Sequence, residues 1–193
     1  MKVRVFFLQC CLAVLLSACS LPYVVPGPDP AGPGKDEKSG RLLNIRVQRW
    51  DTERFSGLLG LRQREADLYY VLLDATGVKL LEAEVALDGS HQLLRVTGPM
   101  KNTEFAPFLS EALARIYLQE PSLLPCGGGW WQSLCREAVG TGGGFRKYAQ
   151  IGPLPFWQVT MNGEEATGRE APIVYRQPWL GVAVFLEPAK QVQ

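Results

Sequence analysis

The chain has little of what catalysis or metal binding usually requires. It contains a single histidine, His91, and lacks the Gly-x-Ser-x-Gly and His-Glu-x-x-His motifs of common hydrolases. A zinc site takes about four ligands, and the glycine runs lack the Lys followed by Ser or Thr that marks a phosphate-binding loop. We therefore expect no enzymatic activity, no metal site and no cofactor.

Two catalytic alternatives are open on the residues alone. Cys126 with His91 could supply a thiol nucleophile and its base, but a disulfide at Cys126 would abolish that pair. Glu164 and Glu165 could form an acid pair, but they follow an Asn-Gly dipeptide that is typical of a charged hairpin tip. Both alternatives are weaker than the non-enzymatic interpretation.

Neither sign of charge is in excess. The 20 Lys and Arg residues against 19 Asp and Glu residues give a formal net charge of +1. A nucleic-acid-binding surface normally shows a basic stripe, so we expect no nucleic acid partner.

The first residues have the three parts of an export signal. Lys2 and Arg4 precede an apolar run from Val5 to Leu16, which is too short for the roughly 20 residues that span a bilayer. Leu16-Ser17-Ala18-Cys19 resembles the lipobox of bacterial lipoproteins. This resemblance predicts a signal peptide at residues 1–18 and palmitate-like acyl chains on Cys19. The alternatives are an ordinary cleaved signal and an uncleaved apolar helix with a chance cysteine.

The residues after Cys19 predict how the protein is anchored. Two or three acyl chains would hold it permanently, because each buried methylene contributes about 0.8 kcal/mol. Ser20, where Asp would resemble an inner-membrane retention signal, favours the periplasmic face of the outer membrane. Residues 19–40 alternate proline with glycine and show no periodicity, as expected of a tether. Residues 41–193 form one domain of usual size.

The domain keeps two cysteines, Cys126 and Cys135, in an oxidising compartment. An isolated pair there predicts a structural disulfide. A redox motif would need closer spacing than this pair has.

Period-two alternation predicts most of the domain to be strand. The predicted strands are residues 43–48, 55–61, 68–73, 78–87, 92–97, 145–151, 156–161, 173–177 and 179–186. Asp74 to Gly77 and Asp88-Gly89 predict turns between them. Such a number of strands in a small domain predicts one antiparallel sheet that curls into an incomplete β-barrel.

A single helix interrupts the strands. Seven apolar residues at helical spacing predict one continuous apolar face, and they are Phe105, Phe108, Leu109, Ala112, Leu113, Ile116 and Tyr117. Thr103 is predicted to cap the helix, and Pro121 to close it. The fold class is therefore α+β, mainly β, with the helix as a lid over the sheet. On this pattern alone the apolar face is either simple core or the wall of a cavity.

Between Ser122 and Gly144 the pattern loses its periodicity. This segment holds Trp130, Trp131 and two runs of three glycines. Loops of this length are often functional or mobile, so we expect a long aromatic and glycine-rich loop.

This layout resembles the LolA/LolB-like carriers of bacterial lipoproteins, and an uncharacterised family of periplasmic lipoproteins within that group. The resemblance is carried by residues 55–61, by Val71 to Leu81 with its Leu-Leu-Asp-x-x-Gly segment, and by Ala114 to Leu118 before Pro121. It implies an apolar cavity that accepts acyl chains. The outer-membrane receptor of this group has an apolar residue at the position of Thr76, and that residue is thought to help insert cargo. The resemblance therefore does not imply that this protein delivers lipoproteins.

Two functions from different classes remain. The first is a monomeric, membrane-anchored protein that binds a lipid-like ligand or a lipoprotein acyl chain, with contacts from Phe105, Phe108, Leu109, Leu113, Ile116, Trp130 and Trp131, for envelope transport or localisation. The second is an assembly lipoprotein that docks to envelope proteins through the aromatic and glycine-rich loop. An apolar cavity would favour the first function, and a filled core with an exposed aromatic patch would favour the second.

Overall fold

The structure is a computed structural model that describes residues 40–64, 66–101, 103–129, 131–140, 143–163 and 172–189. The predicted signal peptide, Cys19 and nearly all of the tether lie outside the described residues, as do Trp130, Glu164 and Glu165. Within the described residues, no helix is long and apolar enough to cross a membrane.

Eleven strands and one α-helix form the described fold. In chain order they are β1 (Arg41–Arg49), β2 (Thr52–Gln63), β3 (Leu68–Leu73), β4 (Lys79–Val85), β5 (His91–Val96), α1 (Phe105–Tyr117), β6 (Cys126–Gly128), β7 (Gln132–Val139), β8 (Gly144–Ile151), β9 (Leu154–Met161), β10 (Ile173–Gln177) and β11 (Val182–Pro188). Short 3₁₀ turns lie at Gly98–Met100 and Pro178–Leu180.

All eleven strands belong to one antiparallel sheet. Their order is β5-β4-β3-β2-β1-β11-β10-β9-β8-β7-β6, so the first and last strands of the chain pair at its centre. The two edges of the sheet are β5 and β6. The sheet is curled but open, which confirms the predicted incomplete barrel.

Alternation along the strands divides the sheet into a buried concave face and a more exposed convex face. In β3, Leu68, Tyr70 and Leu72 are buried while the residues between them are partly exposed. The same alternation continues in β1 and β4. Because successive side chains of a strand point to opposite faces, this pattern places the core on the concave side.

Helix α1 lies in that concave side. Eight of its 13 residues are buried, which is more than a single apolar stripe accounts for. The hydroxyls of Tyr70 and Ser110 are 2.9 Å apart and join the helix to β3. Burial raises the pKa of Tyr70 to about 12, because ionisation of the phenol would place a charge in an apolar surrounding.

The turns define the two ends of the curled sheet. We call upper rim the end that carries the turns at residues 50–51, 74–78, 152–153 and 178–181, together with the β6–β7 connection near Trp131. The lower rim is the opposite end, where β1 begins and β11 ends.

The turn at Asp74 has the chemistry that its sequence predicts. The Asp74 carboxylate accepts hydrogen bonds from the backbone N–H and hydroxyl of Thr76 and from the backbone N–H of Val78. The hydroxyl of Thr76, followed by the backbone N–H of Val78, lowers the pKa of Asp74. Gly77 supplies the positive φ, at 84°.

The segment after the helix and the start of the helix both differ from the predictions. The segment from Ser122 to Gly144 is not one long loop, because it contains β6 and β7. Thr103 does not cap the helix: the N-cap residue is Glu104, and the Thr103 hydroxyl donates instead to the Met100 carbonyl. In residues 122–144, glycine and tryptophan obscure the alternation of apolar and polar residues that predicts strands. At the start of the helix, the chain enters the helix one residue later than the capping pattern indicated.

The disulfide between Cys126 and Cys135 is present and joins directly opposed positions of β6 and β7. It fastens the three-residue edge strand to its neighbour. Neither cysteine is therefore available as a thiol nucleophile.

Candidate ligand-binding site

The C-terminal end of α1 is fastened to the sheet by Lys147 of β8. Its ammonium donates to the carbonyl oxygens of Ile116 and Gln119, at 3.0 and 2.6 Å, and to Oε1 of Glu120 at 3.1 Å. The last carbonyls of a helix have no partner within the helix, and a cation there also interacts favourably with the helix dipole. Lys147 therefore acts as a clasp on the last turn.

This clasp is buried. The Lys147 side chain has 0% exposure, whereas that of Glu120 is 47% exposed. Burial lowers the pKa of Lys147, and the carboxylate of Glu120 opposes that effect. Sequence reasoning missed Lys147, although alternation in β8 places it on the core face between Phe145 and Ala149.

A second buried cation, Arg115, links the helix to β9 and β10. Its guanidinium donates to the Tyr175 hydroxyl at 2.6 Å and to the carboxylate of Glu111. It also lies over the rings of Phe156 and Trp157, 5.4 and 5.5 Å from their centroids. Burial raises the pKa of Tyr175, and the nearby Arg115 partly offsets this.

The N-terminal end of α1 is held differently. No side chain of the described residues caps it, and its aromatic residues are only half-buried. Phe105 packs on Phe55 with ring centroids 5.5 Å apart, and Phe108 packs on Tyr175 at 6.4 Å. We call the half-buried group at this end the aromatic mouth, and its members are Phe55, Met100, Phe105 and Phe108.

The structure divides the predicted contact residues into three groups. Phe105 and Phe108 lie in the aromatic mouth. Leu109, Leu113 and Ile116 are buried, with 0, 0 and 1% exposure. Trp131 lies at the upper rim with 53% exposure, and Trp130 lies outside the described residues.

This burial decides what the helix face does in this conformation. A side chain that lined a water-sized cavity would have accessible surface, and Leu109 and Leu113 have none. They are packed core here. A ligand could reach them only by displacing the helix, whereas Phe105 and Phe108 already face the opening.

A cavity of about 420 Å³ lies on the convex side of the sheet. It is lined by residues of β1, β2 and β11, including Arg46, Ser56 and Glu187. The Arg46 guanidinium stacks on the Phe185 ring, 4.7 Å from its centroid. This cavity mixes charged and apolar groups and is separate from the helix face, and no sequence motif indicated it.

In the described parts of the chain, no group of three or more His, Cys, Asp or Glu residues could hold a metal ion. His91 begins β5, opposite Val85.

No protein-family model matches the chain, and no curated protein matches it. Among solved structures, a LolA superfamily protein from Nitrosomonas europaea aligns with 80% of this chain and 86% of its own, at 11% identity and a TM-score of 0.30. That superposition is loose. The assignment of the fold as an open, curled antiparallel sheet around one helix rests on the strand order and register of this chain.

Proposed function

We propose that this protein is a lipid-anchored periplasmic carrier that holds one acyl chain, or a similar amphiphile, between α1 and the concave face of the sheet. The observation that carries the proposal is the unequal fastening of the helix. One end is clasped by a buried lysine, and the other is a half-buried aromatic mouth that no side chain in the described part of the protein caps.

The energetics favour opening at the mouth. Aromatic pairs such as those of Phe105 and Phe108 are worth about 0.5 to 1.5 kcal/mol each beyond the area they bury. An acyl chain gains about 0.8 kcal/mol per buried methylene. A chain of ten or more methylenes can therefore replace the contacts that are lost when the N-terminal turns of α1 move outward.

The opposite end resists such movement. If the last turn of the helix moved, the carbonyl oxygens of Ile116 and Gln119 would lose their hydrogen bonds from Lys147. Each buried acceptor left without a partner costs about 1 to 3 kcal/mol. A tilt of α1 about its C-terminal end is therefore the cheapest way to admit a ligand.

The anchor is part of the proposal. Leu16-Ser17-Ala18-Cys19 supports acylation of Cys19, and Ser20 supports the outer membrane as the destination. A Cys19→Ala variant expressed with radioactive palmitate should carry no label, because no other residue supplies the acceptor thiol of the lipobox. Label on the variant would refute acylation at this position.

Binding is tested with a fluorescent fatty acid and the full chain. Phe108→Ser, at the mouth, should weaken binding at least five-fold while lowering the melting temperature less than a truncation in packed core does. Leu113→Ala, in packed core, should lower the melting temperature strongly, because such truncations cost about 2 to 5 kcal/mol. Mass spectrometry of lipids that co-purify with the native protein identifies the ligand class. Absence of saturable binding by the native chain would refute the carrier function.

A second function, docking to envelope proteins, is favoured by one observation. Trp50, Trp131 and Trp179 are 64, 53 and 59% exposed. Loss of a co-purifying envelope protein when Trp131 is replaced by serine, without any fatty acid binding by the native chain, would favour this function over the carrier.

A further inference from the structure

Large apolar side chains are concentrated at the upper rim. We call five of them the tryptophan rim, and they are Trp50, Trp131, Leu154, Trp179 and Leu180, exposed by 64, 53, 51, 59 and 46%. Four of them come from the β1–β2, β6–β7 and β10–β11 connections, and Leu154 is the first residue of β9, directly after the β8–β9 turn. Apolar surface gathered from separate parts of the chain commonly marks an interaction site.

Hydrogen bonds join these connections into one continuous surface. The backbone N–H of Trp50 donates to the Gly181 carbonyl at 2.7 Å. The indole N–H of Trp179 donates to the Pro155 carbonyl at 2.6 Å, and the backbone N–H of Gly152 donates to the Trp131 carbonyl at 2.8 Å. The rim therefore runs unbroken across the ends of β1 and β11 to β7.

The backbone is adapted to present these side chains. Trp50 and Asp51 both have positive φ, 51° and 60°, a conformation that residues other than glycine rarely adopt. At Gly181, also with φ of 60°, a Cβ atom would lie 2.3 Å from the Trp50 indole. The indole therefore sits against bare glycine backbone, which fixes its position at the rim.

We propose that the tryptophan rim docks on the surface of the lipid bilayer that carries the Cys19 anchor; this inference rests on the proposed function for that anchor. Tryptophan is enriched at membrane–water interfaces, where an apolar ring and a polar N–H both find partners. The rim consists of the tips of turns at the end of a sheet, which suits a flat interface. Asp51 and Glu53 adjoin Arg49 and Arg54 there, so apolar insertion rather than net charge supplies the attraction.

The tether is long enough for this orientation. The described chain begins at the lower rim, so the tether must run back along the domain for the upper rim to meet the bilayer. The nine residues of β1 span about 30 Å. Residues 20–39 can span up to about 65 to 70 Å when extended. The extended tether is therefore longer than the distance from the lower rim to the upper rim.

Docking at this rim would place the aromatic mouth beside the membrane. Phe105 packs on Phe55 near the start of β2, next to the turn that presents Trp50. An amphiphile could then pass between the bilayer and the site without crossing open water.

The experiment compares two double variants in the full chain, reconstituted into phosphatidylethanolamine and phosphatidylglycerol vesicles whose acyl chains are brominated. Trp50→Phe with Trp179→Phe keeps the rim apolar, and Trp50→Ser with Trp179→Ser does not. Both retain the same remaining tryptophans, so a difference in bromine quenching reports docking alone. We expect at least two-fold stronger quenching in the phenylalanine pair than in the serine pair.

Two controls keep the result interpretable. Leu123→Ser with Leu124→Ser, at exposed residues outside the rim (70 and 73% exposed), should leave the quenching of the native chain unchanged. Leu154→Ser with Leu180→Ser changes no fluorophore and should halve the quenching. Equal quenching in the phenylalanine and serine pairs, or none in the native chain, would overturn the inference.

Failure of this inference is distinguishable from failure of the carrier function. Fatty acid binding with no difference between the two pairs refutes the rim and leaves the carrier intact. A clear difference between the pairs without fatty acid binding refutes the carrier and leaves the rim as a membrane contact.

Discussion

Replacing Lys147 with methionine removes the clasp while keeping most of the side-chain volume. The two carbonyl oxygens of Ile116 and Gln119 then lose a charged donor inside the protein, at a position with no access to water. Glu120 remains half-exposed and solvated, so its loss of a partner contributes little.

The magnitude follows from these contacts. Two buried acceptors without partners cost about 2 to 6 kcal/mol together. Methionine offsets part of this cost, because burial of the ammonium is itself unfavourable, as the lowered pKa of Lys147 shows. We expect a net loss of about 2 to 4 kcal/mol, or roughly 5 to 15 °C in melting temperature for a domain of this size.

Thermal and urea unfolding of the two proteins measure the loss. The matched control is Arg146→Met, on the opposite face of the same strand, where Arg146 pairs with Glu137 at 3.3 Å and both side chains are nearly half-exposed. An exposed pair contributes about 0 to 1 kcal/mol. If Lys147→Met is no more destabilising than Arg146→Met, the clasp does not stabilise the fold.

Three further outcomes are expected. The free energy of unfolding should fall as pH rises from 10 towards 12, because the unfolded chain ionises Tyr70 at its usual pKa while the folded protein holds it protonated. Burial acts on the pKa of Tyr175 in the same direction, so Tyr70→Phe should reduce the fall of the urea midpoint across this range without abolishing it, and an unchanged slope would contradict the assignment. Cys126 and Cys135 should resist alkylation until reduced, and reduction should cost at most about 2 to 3 kcal/mol, with amide exchange rising first in β6. Gly57→Ala should lower the free energy of unfolding by about 1 to 3 kcal/mol, since its Cβ would lie 2.2 Å from a backbone oxygen of the next strand, whereas Gly60→Ala, whose nearest neighbour is 3.9 Å away, should stay within about 1 kcal/mol of the native chain.

Local patterns predicted most of the sheet. The strands at residues 68–73 and 173–177 begin and end where alternation placed them. The remaining predicted strands differ from the observed strands at their ends. The last, predicted to start at residue 179, begins at Val182, because residues 179 and 180 belong to a 3₁₀ turn. Alternation is a direct consequence of burying one face of a strand, so a single sequence carries it well.

The strands β6 and β7 were not predicted from the sequence, for a physical reason. β6 is Cys126-Gly127-Gly128, which has no large side chain to alternate. A Cβ on Gly127 would lie 2.3 Å from the Ser122 hydroxyl and 2.9 Å from backbone nitrogen. Glycine at this position therefore allows the backbone to approach closely, whereas glycine in a sequence pattern is usually interpreted as a loop.

The candidate site was predictable only in part. The helix and its apolar face follow from helical periodicity, but periodicity cannot tell packed core at Leu109 from a half-open position at Phe108. That difference depends on which strands pack against each part of the helix, which only the folded sheet defines. The same holds for the tryptophan rim, since Trp50 and Trp179 are distant in sequence and meet only because β1 pairs with β11.

The pairing of β1 with β11 also governs the order in which the molecule can be completed. As the chain emerges from its N-terminus, β1 to β5 can pair as a local meander. The outer edge of β1 nevertheless stays open until residues 182–188 arrive. An open strand edge invites pairing with other chains, so a nascent chain or a truncation that lacks the last strand should aggregate through β1. The final seven-residue strand thus closes the most central ladder of the sheet, and it does so only after the rest of the sheet has been synthesised.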